Sequence, residues 1–123
     1  MNQITRIATD RRGSRAVVHN GIVFLSGVTA DDRGQDIRGQ TQQVLAKIDR
    51  FLSMAGTSKS RLLTAQIWMK DIKNDFAGMN EVWDAWTAVD AAPTRAAAQC
   101  DLGLPEILVE IIVTAAIENT GSQ

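Results

Sequence analysis

The sequence contains few of the residues from which metal centres and disulfide frameworks are built. Its 123 residues include one cysteine, one histidine and no tyrosine. A single cysteine, Cys100, excludes a disulfide within the chain, and this usage fits a reducing cytosol. One cysteine and one histidine also cannot form a metal-binding cluster of recognised spacing, so we expect no metal site.

An excess of charge of one sign and long apolar runs are also absent. Thirteen basic and fourteen acidic side chains give a formal net charge of -1. No basic patch is visible, which argues against nucleic acid as the main partner. No apolar run reaches the roughly 18 residues of a membrane span, and the polar start "MNQITRIATDRRGSR" lacks the apolar segment of a secretory signal. We therefore expect a cytoplasmic protein, not bound to a membrane, with a single domain over residues 1–123.

The clearest local pattern is a β-hairpin in "AVVHNGIVFLSG". Two β-rich runs flank Asn20-Gly21, a dipeptide that suits a two-residue turn in which both residues have positive φ. Residues 16–19 and 22–26 should be the two strands. Alternation in "RLLTAQIWMKDI" predicts another strand, with Leu63, Ala65, Ile67 and Met69 on its core face. Further strands are predicted near residues 3–8 and over about residues 95–100 and 107–116.

Two segments have apolar residues at helical spacing. The first helix should cover about residues 37–55, with Asp36 as N-cap and Gly56 just after its end. The second follows "KNDFAGMNEVWDAW", with Asn74 or Asp75 as N-cap. Its apolar positions are Phe76, Met79, Trp83 and Trp86. The resulting order predicts an α+β fold with a mixed sheet and both helices on one face.

The last predicted strand is apolar on both faces. Ile107, Val109, Ile111 and Val113 alternate with Leu108, Glu110 and Ile112. A strand of this kind is covered on both sides, whereas two helices can cover only one face of such a sheet. Another copy of the chain should cover the other face, so we expect a homo-oligomer.

Two lone charges in apolar surroundings are the candidates for chemistry. Glu110 either lies at an oligomer rim, solvated or paired with an arginine, or holds a water and exchanges a proton. Arg95 shares a strand face with Ala97 and Gln99, where small neighbours would leave space above the sheet. Arg95 either protects an edge strand or binds a carboxylate through two parallel hydrogen bonds.

The chain resembles the Rid family of reactive-intermediate deaminases, also called the YjgF or endoribonuclease L-PSP family, and within it the YoaB-like branch. The matching segments are "HNGIVFLSG", "KNDFAGMNEVWDAW", "APTR" and "LPEILVEIIVTAA". The resemblance implies a chorismate-mutase-like fold and a homotrimer, in which three sheets form a central barrel and the sites lie in clefts between subunits. It also implies hydrolysis of 2-imino or 2-enamino acids to 2-keto acids and ammonia, with no cofactor.

The resemblance assigns roles to particular residues. Arg95 matches the family arginine that binds the substrate carboxylate, and Glu110 matches the glutamate thought to orient the attacking water. Ser26 and Gly27 match a serine-glycine pair that borders the cleft, and Asn80 matches an asparagine on the second helix. The substrate is then a small carboxylate.

The sequence departs from the family pattern at two positions. Arg15 stands about where the well-studied deaminases have a tyrosine, and Ala97 stands where they often have a cysteine. Two cations near one cleft would favour a dianionic substrate or accompany weak imine hydrolysis. A trimer that binds a small carboxylate without turnover is therefore an alternative function. A single-stranded RNA endoribonuclease is a further one, which the charge balance and the lack of an aromatic and basic groove oppose.

Overall fold

The alternation of β-rich and amphipathic segments produces one mixed sheet covered by helices. The computed structural model describes residues 3–117. Its strands are β1 (Ile4–Thr9), β2 (Ser14–His19), β3 (Ile22–Leu25), β4 (Leu62–Met69), β5 (Thr94–Gln99) and β6 (Val109–Ala116). Its helices are α1 (Ile37–Met54) and α2 (Ile72–Trp86), with a short 3-10 turn at Lys59–Arg61. The sheet order is β1-β2-β3-β6-β4-β5, and only β4 and β5 are parallel among the pairs of this sheet.

The predicted hairpin is confirmed. Asn20 and Gly21 both have positive φ, 51° and 79°, and His19 pairs with Ile22 across the turn. Both residues therefore adopt the left-handed conformation that a tight turn between right-twisted strands requires.

Both helices are confirmed, but one predicted N-cap is wrong. The Asp36 side chain accepts a hydrogen bond from the Gly39 amide, 2.9 Å, at the start of α1, and Gly56 follows its end with φ of 84°. In α2 the cap is Asp71, not Asn74 or Asp75, because the helix begins directly after β4. No helix between residues 3 and 117 is long and apolar enough to cross a membrane.

The core lies between the helices and one face of the sheet. Ala65, Ile67 and Met69 of β4 are buried in it, as predicted. Leu63 is not, since 41% of it is exposed. A register irregularity between Leu62 and Thr64 turns Leu62 inward in its place. A bulge of this kind shifts the alternation by one residue, which the sequence pattern did not indicate.

The other face of the sheet carries apolar side chains that this chain leaves partly exposed. Along β6, Val109, Ile111 and Val113 are buried beneath the helices, while Glu110 and Ile112 are half-buried on the opposite side. Phe24 and Trp68 are 46% and 37% exposed. We call this surface the open face. The predicted α+β class, with both helices on one face, is confirmed; cover of the open face by another copy stays a prediction.

Candidate functional site

Glu110 lies on the open face, against the backbone of the segment that follows β3. A methyl group built on Gly27 would lie 2.1 Å from Oε2 of Glu110, so only a glycine leaves room for this carboxylate position. The segment is held beside β6 by two backbone hydrogen bonds between Val28 and Ile111, 3.0 and 3.1 Å long. The sheet therefore brings Gly27 and Glu110 into contact although 83 positions of sequence, 110 - 27, separate them.

Ser26 adds a polar group beside this contact. Its amide donates to the carbonyl oxygen of Arg15, 3.0 Å, and its hydroxyl is buried without a hydrogen-bond partner among the described residues. A buried hydroxyl that makes no hydrogen bond costs free energy, so a bound molecule or water would be stabilised there. We call Ser26, Gly27 and Glu110 the Glu110 group.

Arg95 lies on the helix-covered face, near the sheet edge. Its register partner in β4 is Ala65, a core residue. Its guanidinium carbon is 5.8 Å from the centroid of the Phe76 ring and 5.5 Å from that of Trp83. Both rings belong to α2, and they attract the cation through their π faces. Two aromatic rings therefore lie beside Arg95, where the strand pattern predicted open space above alanine side chains.

Asn80 and Ala97 belong to the same region as Arg95. Asn80 lies four residues after Phe76 and three before Trp83, on the same side of α2. Its Oδ1 atom is buried and has no hydrogen-bond partner in the described part of the chain. Ala97 is half-buried and packs against the core. We call Asn80, Arg95 and Ala97 the Arg95 group.

Within one chain the two groups lie on opposite faces of the sheet. Arg95 aligns with Ala65, which points toward the helices, whereas Glu110 aligns with Trp68, which points away from them. A single chain therefore does not bring its own Arg95 and Glu110 into one cleft. The sequence pattern did not indicate that Phe76 and Trp83 flank Arg95, because these two residues have the spacing of ordinary core residues.

Arg15 lies at the edge of the Glu110 group. It lines a pocket of about 230 Å³ together with Ser26, and its guanidinium carbon is 5.7 Å from the centroid of the Phe51 ring. Amides of Arg12 and Gly13 donate to Asp10 in the neighbouring turn, and these hydrogen bonds lower the pKa of the Asp10 carboxyl, with a smaller contribution from the Arg15 charge. Residues 3–117 contain no group of three or more histidine, cysteine or acidic side chains that could hold a metal.

Comparison with known proteins assigns the chain to a family. The endoribonuclease L-PSP family profile matches residues 3–117. The chain belongs to the endoribonuclease L-PSP family, also known as the YjgF or Rid family. A RutC family protein of Haemophilus ducreyi is 41% identical over 116 residues, which cover 94% of this chain and 98% of the relative. The RutC family protein YoaB of Escherichia coli is 41% identical over 114 residues, covering 93% and 98%.

Solved structures of the L-PSP family share the fold. A YjgF family member from Neisseria meningitidis superposes with a TM-score of 0.93 at 42% identity, over 96% of this chain and 98% of the other. YyfA, a Rid family protein of Yersinia pestis, has a TM-score of 0.84 at 29% identity, over 94% and 100%. The family and the YoaB likeness predicted from the sequence are confirmed.

Proposed function

We propose that this L-PSP family member hydrolyses reactive 2-imino and 2-enamino acids to 2-keto acids and ammonia, in clefts between the subunits of a homotrimer. The observation that carries the proposal is the placement of the two groups. Arg95 and Glu110 lie on opposite faces of one sheet, so a cleft that contains both needs the Arg95 group of one subunit and the Glu110 group of its neighbour.

The residues of the two groups suit the steps of this reaction. The Arg95 guanidinium binds the substrate carboxylate through two parallel hydrogen bonds, and Phe76 and Trp83 hold it in position. The Glu110 carboxylate orients a water and accepts one of its protons as the water oxygen bonds to the imine carbon. That proton passes to the nitrogen and gives a carbinolamine. The proton of the new hydroxyl group then also moves to the nitrogen through Glu110, the carbon–nitrogen bond breaks, and ammonia leaves as the keto group forms. Positioning supplies most of the acceleration, because the imine carbon is already electrophilic.

The open face supports association. Phe24 and Trp68 remain substantially exposed on it, and exposed apolar surface of this kind favours contact with another copy. In a closed ring each contact joins two different surfaces of neighbouring subunits. A contact of this kind brings the open face of one subunit against the Arg95 group of the next.

A mixed assembly tests this arrangement. Arg95→Ala and Glu110→Gln chains should each be inactive alone. When they are unfolded together in equal amounts and refolded, about one quarter of the clefts should combine an intact Arg95 with an intact Glu110, if subunits associate at random in a ring. Imine hydrolysis is measured as loss of the semicarbazide-trapped product of an amino-acid oxidase, and light scattering should give roughly three times the 13.4 kDa chain mass.

The controls separate assembly from chemistry. Each variant refolded alone should form the same assembly without activity, and wild type taken through the same procedure should recover its activity. Absence of activity in the mixed assembly, with wild type recovered, would show that the two residues do not share a cleft between subunits. A stable monomer at micromolar concentration would also contradict the proposal.

Binding measurements test the role of Arg95 separately. Lysine keeps the charge but loses the planar fork, so Arg95→Lys should weaken binding of 2-ketobutyrate. Arg95→Ala should lose more, roughly 2–5 kcal/mol if the pair is desolvated. Arg33→Ala, at an exposed arginine before α1, is the matched control. Calorimetry in which Arg95→Ala binds as tightly as wild type would reject the role.

Non-catalytic binding of a small carboxylate is the second candidate function. It is favoured by the missing tyrosine and by Ala97, since both positions depart from the pattern of the well-studied deaminases. This function predicts that 2-keto acids bind in an Arg95-dependent way while the imine trapping assay shows no turnover.

A further inference from the structure

A pocket of about 230 Å³ includes Ser26 of the Glu110 group and lies at the start of β2. Its lining residues are Ala8, Asp10, Arg12, Gly13, Ser14, Arg15 and Ser26. Ser26 belongs to both the pocket and the Glu110 group, and the next residue, Gly27, contacts the Glu110 carboxylate. The pocket and the contact between Gly27 and Glu110 therefore involve consecutive residues of the segment that follows β3. We call it the Arg15 pocket.

The charged groups of the Arg15 pocket favour an anion. Arg12 and Arg15 line it, and neither forms a salt bridge with any of the described residues. Asp10 is the only acidic residue of the lining, and its Oδ1 atom already accepts from the amides of Arg12, 2.8 Å, and Gly13, 3.0 Å. The lining thus contains two cationic residues and one carboxylate that its own turn has already satisfied, and Arg15 also lies within electrostatic range of Asp31.

The pocket also offers fixed groups that can hold a ligand. The Ser26 hydroxyl is buried without a partner in residues 3–117, so it can donate to a carboxylate oxygen. The Arg15 backbone is tied to β3 through the hydrogen bond from the Ser26 amide, 3.0 Å. Its guanidinium lies near the Phe51 ring, 5.7 Å from the centroid, and the cation–π attraction limits its freedom. Less ordering entropy is then lost when an anion binds.

We propose that the Arg15 pocket binds the distal carboxylate of a dicarboxylic 2-imino acid, and that Arg15, Arg12 and the Ser26 hydroxyl together select dianionic substrates. This inference rests on the proposed function, because Arg95 of the neighbouring subunit takes the carboxylate next to the imine carbon. The two carboxylates of the substrate then meet two separate sources of positive charge, one from each subunit.

Calorimetry with two product analogues tests the selectivity. 2-Ketoglutarate has a distal carboxylate and 2-ketobutyrate has none, so wild type should bind the former at least about tenfold more tightly, the factor expected from hydrogen bonds to a charged group. The ratio of the two affinities should fall to about one in Arg15→Gln and by a smaller factor in Arg12→Gln. Arg11→Gln removes the same charge from the same turn, at a residue that does not line the pocket, and should keep the ratio.

The outcomes separate this inference from the proposed function. A wild-type ratio near one, or a ratio that survives Arg15→Gln and Arg12→Gln, would overturn the inference, as would an equal loss in Arg11→Gln. Arg95→Ala should weaken both ligands, because it removes the contact that they share. If imines are not hydrolysed but the ratio and its dependence on Arg15 are as expected, the catalytic proposal fails and the dianion pocket stands. If imines are hydrolysed without preference for a second carboxylate, the catalytic proposal stands and the dianion pocket is rejected.

Discussion

Replacing Gly27 with alanine should remove catalysis while leaving the fold intact. The new methyl group would lie 2.1 Å from Oε2 of Glu110 and 3.0 Å from its Cδ atom. Ordinary contact begins near 3.4 Å, so the carboxylate has to move by about 1.3 Å, which is 3.4 - 2.1. A misplacement of about 1 Å can cost on the order of 100-fold in rate. The displaced atoms are the end of a half-buried side chain, so the free energy of unfolding should change by less than about 1 kcal/mol.

The assay combines turnover in the trapping reaction with thermal unfolding followed by circular dichroism. Gly34→Ala is the control, because a methyl group at this exposed loop position meets only the exposed Asp32 carboxylate, 3.3 Å away. In a Glu110→Gln background, Gly27→Ala should cause little further loss, since the affected carboxylate is already absent. Unchanged turnover in Gly27→Ala, or losses that simply add in the double variant, would refute the argument that Gly27 acts by leaving space for Glu110.

Two further predictions concern Glu110 itself and the start of α1. Glu110→Gln should keep its affinity for 2-ketobutyrate while turnover falls about 10²–10⁴-fold; equal kinetics in variant and wild type would leave Glu110 a structural role only. Asp36→Ala removes the side chain that caps α1 by accepting from the Gly39 amide, and should lower the free energy of unfolding by about 1 kcal/mol in urea titrations. Asp84→Ala, at an exposed position of α2, is the control, and equal midpoints for the two variants would contradict the capping argument.

Local chemistry in the sequence was sufficient to predict most elements of the fold. Asn20-Gly21 specified the hairpin because these residues tolerate positive φ. Asp36 and Gly56 marked the ends of α1, since a side-chain acceptor and a left-handed glycine satisfy the unpaired groups of helix termini. The alternation along β6 correctly separated its residues into two faces, and the structure buries one of them beneath the helices. In each case the deciding interaction lies within a few residues of the pattern that predicts it.

Two local predictions failed where neighbouring residues offered equivalent choices. Asp71, Asn74 and Asp75 are all suitable N-caps, and the position of β4 before the helix selects the first. Leu62 and Leu63 are both apolar, and the irregular pairing of β4 with β6 decides which one enters the core. Sequence pattern alone does not distinguish such alternatives, because their local free energies are similar.

The candidate site shows where tertiary structure takes over. The sequence by itself identified Arg95 and Glu110 as lone charges in apolar strands. It also indicated their chemistry, because a guanidinium can bind a carboxylate and a carboxylate can orient water. It did not determine that they lie on opposite faces of the sheet, nor that Phe76 and Trp83 flank the arginine. Alternation assigns the residues of each strand to two faces. It does not show which faces of two different strands lie on the same side of the sheet. That relation depends on register between strands, and a slip of one residue reverses it, so only the paired sheet could place Arg95 beside α2 and Glu110 beside Gly27.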